Sequence, residues 1–213
     1  WDIITFSMGK HNIEKSYEYW VKHKVKTDYC KYMKLNDGDV VINGGSAFGN
    51  DTQYFYEQVG DNGIVCAFDL NIGNNNIESK SIKIIPKVLW DKTTEISFIM
   101  DGSRSRVVDN NEKDSTTFPS TTIDDFIITN SLNRLDFIKL DVEGGEQNVL
   151  RGGIKSIKKF RPGLAISIYH KLEDFFQIPL LINDLVTDYI FHIELYDPYC
   201  IDTILFGIPL ERR

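Results

Sequence analysis

Acidic side chains end three of the predicted strands of this 213-residue chain, at Asp69, Asp91 and Asp141. A glycine-rich turn, residues 43–51, follows a fourth predicted strand. Asp69 lies about 20 residues beyond that turn, where a carboxylate can accept hydrogen bonds from both hydroxyls of a ribose. Because the carboxyl ends of parallel strands meet at one edge of a sheet, we expect these groups to share a crevice. The spacing therefore predicts a nucleoside cofactor.

The glycine-rich turn has the composition of a loop that approaches a ligand closely. Gly44, Gly45 and Gly49 let the backbone bend sharply, because a Cβ at these points would collide with the ligand or with the bend. Asp51 and Thr52 fall at the predicted start of a helix, where unpaired amide N–H groups favour an anionic group. A tight strand-to-helix turn without a ligand is the alternative interpretation.

The order of these glycines distinguishes between nucleoside cofactors. Residues 44–49 read Gly-Gly-Ser-Ala-Phe-Gly and lack the G-x-G-x-x-G spacing typical of dinucleotide sites. The alternative of an NAD(P)-dependent oxidoreductase loses its main support for this reason. The turn fits instead an acidic-x-Gly-x-x-x-Gly pattern, with Asn43 at the acidic position.

Apolar runs alternate with helical patterns and define the elements that must position these groups. Residues 40–42 are a β-branched run typical of a strand covered on both faces. Further strands are predicted at 64–68, 82–90, 136–140 and 164–169, and helices at 52–59, 146–160 and 179–185. Residues 189–196 and 201–208 predict a C-terminal antiparallel hairpin, and 95–124 predict a small β insertion. The pattern favours an α/β fold with a doubly wound, mostly parallel, seven-stranded sheet.

Three features qualify the predicted helices. Gly152 and Gly153 interrupt the pattern of 146–160, so a break there is the alternative to one continuous helix. Pro179 suits the first turn of the last helix. Apolar residues at helical spacing predict an amphipathic helix over about 14–34, which either packs on the domain or covers the cofactor. We therefore divide the chain into an N-terminal helical extension, 1–35, and a single domain, 36–213.

Composition excludes several classes of partner. The net charge is −7, and the 24 Lys and Arg residues are scattered, so we expect no nucleic-acid partner. No apolar run reaches the roughly 18 residues that span a bilayer, so we expect no membrane association. The three cysteines, Cys30, Cys66 and Cys200, lack C-x-x-C spacing, which argues against a disulfide framework or a zinc site. A reducing, cytoplasmic location follows.

Three segments resemble the FkbM family of S-adenosylmethionine-dependent methyltransferases. They are residues 136–153, which contain Asp-Val-Glu-Gly-Gly-Glu, residues 161–170 followed by Ile178-Pro179, and residues 38–45. The resemblance covers roughly 34–208. It implies a class I methyltransferase (Rossmann-like) fold and methyl transfer to a hydroxyl of a small-molecule acceptor, such as a sugar, a glycan or a natural product.

The resemblance also implies roles for individual residues. Gly45, Phe48 and Gly49 approach the methionine part of S-adenosylmethionine, Asp69 holds the ribose, and 89–91 border the adenine. The full set expected at the cofactor is Asn43, Gly45, Ser46, Phe48, Gly49, Asp51, Thr52, Asp69, Leu70, Leu89, Trp90 and Asp141. Asn43 departs from the family, which usually has Asp there. Because Asn brings no charge to offset the cofactor's ammonium, we expect weakened binding or lost activity.

Methyl transfer to a hydroxyl requires alignment of the acceptor and benefits from a base. Asp141, Glu143 and His170 are the candidates, since all three are predicted at the same crevice. Each has a structural alternative: Asp141 as a cofactor ligand only, Glu143 as a helix cap, and His170 as a polar residue at a strand end. The three could also hold a divalent cation, but their spacing is weak support, and we predict no metal.

The sequence is also consistent with a second kind of function and with two roles for the arginines of the β insertion. A non-catalytic module that binds the cofactor or a protein partner is the main alternative to an enzyme, because Asn43 replaces the family's Asp. Arg104 and Arg106 in the β insertion could meet an acidic acceptor, such as a sugar phosphate, or could simply be solvated.

Overall fold

A computed structural model describes residues 27–46, 49–70, 79–99, 106–108, 112–196 and 202–212 of the chain. Seven strands form its main sheet. In spatial order they are β10 (Tyr189–Leu195), β11 (Thr203–Pro209), β9 (Gly163–Ser167), β8 (Phe137–Leu140), β1 (Val40–Gly44), β2 (Ile64–Phe68) and β3 (Ile82–Ile85). Strand β11 is antiparallel to both of its neighbours, and the other pairs are parallel. This confirms the predicted mostly parallel sheet and its C-terminal antiparallel strands.

A second, smaller sheet corresponds to the predicted β insertion. Its strands, in spatial order, are β4 (Val88–Leu89), β7 (Thr116–Thr121), β5 (Glu95–Ile99) and β6 (Arg106–Val108). Only the β4–β7 pair is parallel. The predicted strand over 82–90 is therefore two strands in different sheets, because Pro86 lacks an N–H and the backbone turns, with Lys87 N donating to Ile85 O at 2.8 Å.

Helices cover both faces of the main sheet, as a doubly wound fold requires. Val41 and Ile42 are both fully buried but belong to cores on opposite faces, because successive strand residues point in opposite directions. The Val41 face packs against α1 (Asn50–Val59). The Ile42 face packs against α2 (Ile123–Thr129), α3 (Glu146–Gly152), α4 (Ile154–Phe160) and α5 (Asp174–Leu185).

The helices differ from their predictions in three places. The predicted helix over 14–34 is wrong where it can be compared, because 27–34 form turns, bends and irregular backbone, and 1–26 lie outside the described residues. The Asp28 carboxylate accepts from Cys30 N at 3.1 Å, a local bond that competes with helix formation. Helix α2 was not predicted, although Thr122 caps it by accepting from Asp125 N at 2.9 Å. Pro179 lies inside α5 and not in its first turn.

The order of the strands creates the crevice. Strand β1 is flanked by β2 on one side and β8 on the other, so the order of the strands reverses its direction at β1. In open α/β sheets, ligands bind beyond the carboxyl ends of the strands at such a point.

Among the described helices, none combines the length and apolar character needed to cross a membrane.

Candidate functional site

The glycine loop after β1 is wedged between the ends of β2 and β8. Gly45 N donates to Phe68 O at 3.0 Å, and Asp141 N donates to Gly44 O at 3.0 Å. Gly45 has φ +76°, and a Cβ at this position would lie 1.8 Å from the Asp141 carbonyl oxygen. The contact leaves no space for a side chain at residue 45, so the loop lies directly against the backbone that carries Asp141.

Asn43 lies at the base of this loop, and its side chain is fully buried. Its Nδ2 donates to the Thr52 hydroxyl oxygen at 3.1 Å, which ties β1 to the first turn of α1. Among the described residues, none makes a hydrogen bond to Asn43 Oδ1. A buried acceptor without a donor is costly, so this oxygen is the atom of Asn43 that a new donor would stabilise.

Lys139 in β8 provides a buried cation beside the loop. Its side chain is 1% exposed, and Nζ lies 2.8 Å from Gly45 O and 3.0 Å from Asp51 Oδ2. Asp51 Oδ2 also accepts from the Tyr29 hydroxyl at 3.1 Å. Asp141 Oδ2 lies 3.9 Å from the same ammonium. Lys139 therefore connects the glycine loop, the start of α1 and the end of β8.

An acid–imidazole cluster lies beyond β8 and β9. His170 Nε2 is 3.4 Å from both Asp141 Oδ1 and Glu143 Oε2, and its Nδ1 is 3.0 Å from Glu146 Oε1. The Tyr169 hydroxyl donates to Asp141 Oδ1 at 3.0 Å. Glu146 Oε1 also accepts from Val142 N at 2.9 Å. One imidazole is thus surrounded by three carboxylates.

Members of this cluster differ in exposure and in the direction of their pKa shifts. Burial alone would lower the pKa of His170, but Glu146, Asp141 and Glu143 together raise it. Burial raises the pKa of Glu143, as do Asp141 and Glu146, while His170 opposes them. The Glu143 side chain is 41% exposed, whereas that of His170 is 10% exposed. Glu143 is therefore the most exposed carboxylate of this group, ahead of Asp141 at 31%.

The cap of α3 decides between two roles for Glu143. The N-cap of α3 is Gly145, and no side chain in the described part of the chain caps it. Glu143 has φ +54° and belongs to the turn between β8 and α3. The helix-cap alternative for Glu143 is therefore wrong.

A second wall of the crevice follows β4. Leu89 is buried, and a Cβ at Gly44 would lie 3.1 Å from its Cδ1. Trp90 is half-buried, and a Cβ at Gly145 would lie 2.8 Å from its ring. Asn148 Nδ2 donates to Asp91 Oδ2 at 2.9 Å. The loop between β4 and β5 is therefore held against α3.

Other predicted site residues lie at the end of β2 and in the glycine loop. Asp69 and Leu70 lie half-buried after β2, and Asp69 N donates to Ile85 O at 3.3 Å. Ser46 is buried, and its carbonyl accepts from Gly49 N at 2.8 Å. Phe48 and Arg104, as well as the side chain of Arg106, lie outside the described residues.

Sequence reasoning missed three polar residues of this site: Lys139, Glu146 and Tyr169. The sequence could have indicated Lys139, because a lysine inside a strand that is buried on both faces needs a partner. It indicated Glu146 and Tyr169 only through their nearness to Asp141 and His170 in the chain.

Comparisons with known proteins agree with this architecture. The profile of the Methyltransferase FkbM domain family matches residues 9–197. Among solved structures, the chain is similar to methyltransferase FkbM from Methylobacillus flagellatus KT, with a TM-score of 0.64, 20% identity and 89% of this chain covered. The chain spans 50% of that protein's length. It is also similar to Aeropyrum pernix fibrillarin, solved with natively bound S-adenosyl-L-methionine, with a TM-score of 0.45 and 12% identity over 81% of this chain and 67% of that one. No curated protein matches the chain.

The Methylobacillus structure confirms the class I methyltransferase fold that the sequence resemblance implied. The family profile covers the glycine loop, the acid–imidazole cluster and the wall after β4. The chain belongs to the methyltransferase FkbM domain family.

Proposed function

We propose that the chain binds S-adenosylmethionine in the crevice beyond β1, β2 and β8, and transfers its methyl group to a hydroxyl oxygen of a small molecule such as a sugar. One observation carries the proposal. The Asp141 carbonyl lies against the glycine loop at Gly45, while the Asp141 carboxylate lies 3.4 Å from His170. A single residue thus joins the cofactor side of the crevice to a group of proton acceptors.

The residues present fit a cationic nucleoside. Asn43 Oδ1 is a buried acceptor that lacks a donor within the described ranges. Asp51 and Asp141 place two carboxylates beside the loop against the single ammonium of Lys139, and this surplus of negative charge suits the cofactor's sulfonium and ammonium. We assign the methionine part to Asn43, Gly45, Ser46, Phe48, Gly49, Asp51, Thr52 and Asp141, the ribose to Asp69 and Leu70, and the adenine to Leu89 and Trp90.

The chemistry of transfer asks little of the protein beyond alignment and proton removal. When bound, S-adenosylmethionine supplies a methyl group on a sulfonium, which is already a good leaving group. We assign proton removal from the acceptor hydroxyl to Glu143, because it is the exposed carboxylate of the cluster. Asp141 and His170 lie behind it and position it. Trp90 and Leu89 exclude water from one side.

We also propose a cytoplasmic location, for which the cysteine spacing of the sequence is the support. The acceptor is proposed at the level of a hydroxyl-bearing small molecule, with a sugar or glycan as the first class to screen. Transfer of labelled methyl groups to a panel of sugars would test that class.

The first experiment is calorimetric titration with S-adenosylmethionine and S-adenosylhomocysteine, with NAD and NADP as controls. We expect micromolar binding of the sulfur nucleosides only, and its loss in Asp69→Ala. The matched control is Asp184→Ala, which removes an exposed carboxylate from α5 and should leave binding unchanged. Binding of NAD or NADP in place of the sulfur nucleosides would overturn the proposal.

Absence of binding would be resolved with Asn43→Asp. If this variant binds the sulfur nucleosides, the unmodified chain is the non-catalytic alternative, disabled at Asn43. If neither protein binds them, the cofactor assignment is wrong.

A further inference from the structure

Three side chains beside the crevice form a mixed oxygen–nitrogen donor set. Asp141, Glu146 and His170 each offer one ligand atom, and these atoms lie within 4.8 Å of one another. Ligands on opposite sides of an octahedral ion lie about 4.2 Å apart when each is about 2.1 Å from it. The three groups can therefore reach one ion after small side-chain adjustments.

Unpartnered atoms at this cluster independently indicate a missing ligand. Glu146 is fully buried, and its Oε2 has no hydrogen-bond partner within the described ranges. The His170 side chain is nine-tenths buried, and neither ring nitrogen makes a hydrogen bond there. Buried polar atoms of this kind normally have a partner, so three in one place need an explanation.

The approaches between these groups are short but are not hydrogen bonds. His170 Nδ1 lies 3.0 Å from Glu146 Oε1, and Nε2 lies 3.4 Å from Asp141 Oδ1, yet their angles do not fit donation. The two approaches involve different ring nitrogens, and one ion can bind only one of them. The three groups therefore share a cation only if one carboxylate moves toward the nitrogen that the other already approaches, and the separation of at most 4.8 Å between the ligand atoms keeps this movement small.

Charge favours the same conclusion. Asp141, Glu143 and Glu146 all lie within 3.4 Å of the single imidazole. Lys139 approaches Asp141 through the other carboxylate oxygen, Oδ2, at 3.9 Å. Three carboxylates around one ring leave surplus negative charge beside the buried Glu146 and His170 side chains, and a dication would balance it.

We propose that Asp141, Glu146 and His170 bind a divalent cation of the Mn²⁺ type. Two carboxylates and one imidazole suit a six-coordinate ion that accepts both oxygen and nitrogen ligands. The Tyr169 hydroxyl, which donates to Asp141 Oδ1 at 3.0 Å, would orient that ligand from outside. An acceptor hydroxyl that reached the ion next to Glu143 would lose its proton more readily. This last role rests on the proposed function, but the site itself does not.

The test is titration of the metal-free chain with Mn²⁺, followed by the electron paramagnetic resonance signal of the free ion. Cofactor and acceptor are left out, so the result is separate from S-adenosylmethionine binding, which calorimetry measures. We expect one Mn²⁺ per chain, and a loss of affinity of about 10–100-fold or more in Asp141→Asn and Glu146→Gln. The control Glu173→Gln removes an exposed carboxylate near His170 and should bind as the parent does.

Folding is monitored by circular dichroism in every variant. Because Glu146 is fully buried, its variant could unfold, and the half-buried Asp141 then provides the deciding measurement. A folded Asp141→Asn variant that binds Mn²⁺ as tightly as the parent would overturn the proposal. So would a folded parent chain that takes up no Mn²⁺.

Discussion

Lys139 Nζ lies 3.0 Å from Asp51 Oδ2, which joins the centre of the sheet to the first turn of α1 across 88 residues of sequence. The ammonium is almost fully buried, whereas the Asp51 side chain is 31% exposed. A cation in this position is stabilised by the carboxylate and by the Gly45 carbonyl at 2.8 Å. The glycine loop is therefore fixed from beneath by a charged side chain.

Lys139→Met should destabilise the protein and weaken cofactor binding together. The change removes the donor of the Gly45 carbonyl and leaves Asp51 with only the Tyr29 hydroxyl among these partners, and we expect a loss of about 1–3 kcal/mol in the free energy of unfolding. Urea unfolding measures the first effect and calorimetry the second. Lys158→Met, on the exposed face of α4, is the matched control. Equal stability of the two variants would contradict this role for Lys139.

Gly45→Ala should lower the free energy of unfolding by more than the backbone strain of an alanine at positive φ would. The new Cβ would lie 1.8 Å from the Asp141 carbonyl, so the loop or β8 must move. Gly38→Ala is a close control, because Gly38 also has a positive φ, +92°, but nothing lies within 4 Å of the added Cβ. We expect about 1–2 kcal/mol for Gly38→Ala and a larger loss for Gly45→Ala, measured by urea unfolding. Equal losses would show that the close contact is relaxed without cost.

Glu143→Gln should lower turnover without lowering cofactor affinity. The amide is nearly the same size as the carboxylate but cannot take a proton from the acceptor hydroxyl, and we expect a decrease of about 10²–10⁴-fold in the rate constant of methyl transfer. The assay is single-turnover methyl transfer, once an acceptor has been identified, with calorimetry for the cofactor. Glu173→Gln should match the parent in both. Unchanged turnover in Glu143→Gln would return the base assignment to Asp141 or His170.

Acid should remove stabilisation contributed by Asp136, at the opposite end of β8 from the crevice. Burial would raise the pKa of this carboxyl, but hydrogen bonds from Arg134, Val40 N and Arg212 outweigh it and lower the pKa. The contribution is complete above the unfolded value of about 3.9 and is lost as the pH falls through the folded pKa.

Asp136→Asn isolates this effect. At neutral pH we expect it to lose about 1.5–3 kcal/mol in the free energy of unfolding, because it removes hydrogen bonds to a charged group. In acid, below the unfolded pKa, the gap between variant and parent should narrow. Asp184→Asn, which alters an exposed residue, should show no such trend. A gap that stays constant across the acid range would contradict the assigned cause.

The ends of the predicted strands indicated the part of the site that the main sheet forms. Asp141 and His170 follow β8 and β9, which are parallel neighbours, so the pattern of strands and helices in the sequence is enough to predict that they lie close together. Trp90 was expected at the end of a main-sheet strand, but it follows β4 of the small sheet and reaches the crevice by packing on α3. The sheet that a strand joins is decided by contacts between residues far apart in the sequence, and the local pattern of apolar residues does not encode them.

The sequence also did not predict which residues pair with the buried charges. The lysine in Phe137–Leu140 is visible in the sequence, but its partner Asp51 is identified only once β1 and β8 lie side by side. Residues 27–34 illustrate a third cause. Their apolar spacing predicts a helix, yet Tyr29 and Met33 reach the core from turns held by the Asp28 side chain.

Strand β11 lies between β9 and β10, although it follows both of them in the chain. During synthesis on the ribosome, β10 therefore emerges before the only strand in the described structure that pairs with it. Until residues 203–209 leave the exit tunnel, β9 and β10 present unpaired backbone edges and apolar side chains to the cell. This half of the sheet must close after translation of β11, and a nascent chain stalled before that point is a natural substrate for chaperones.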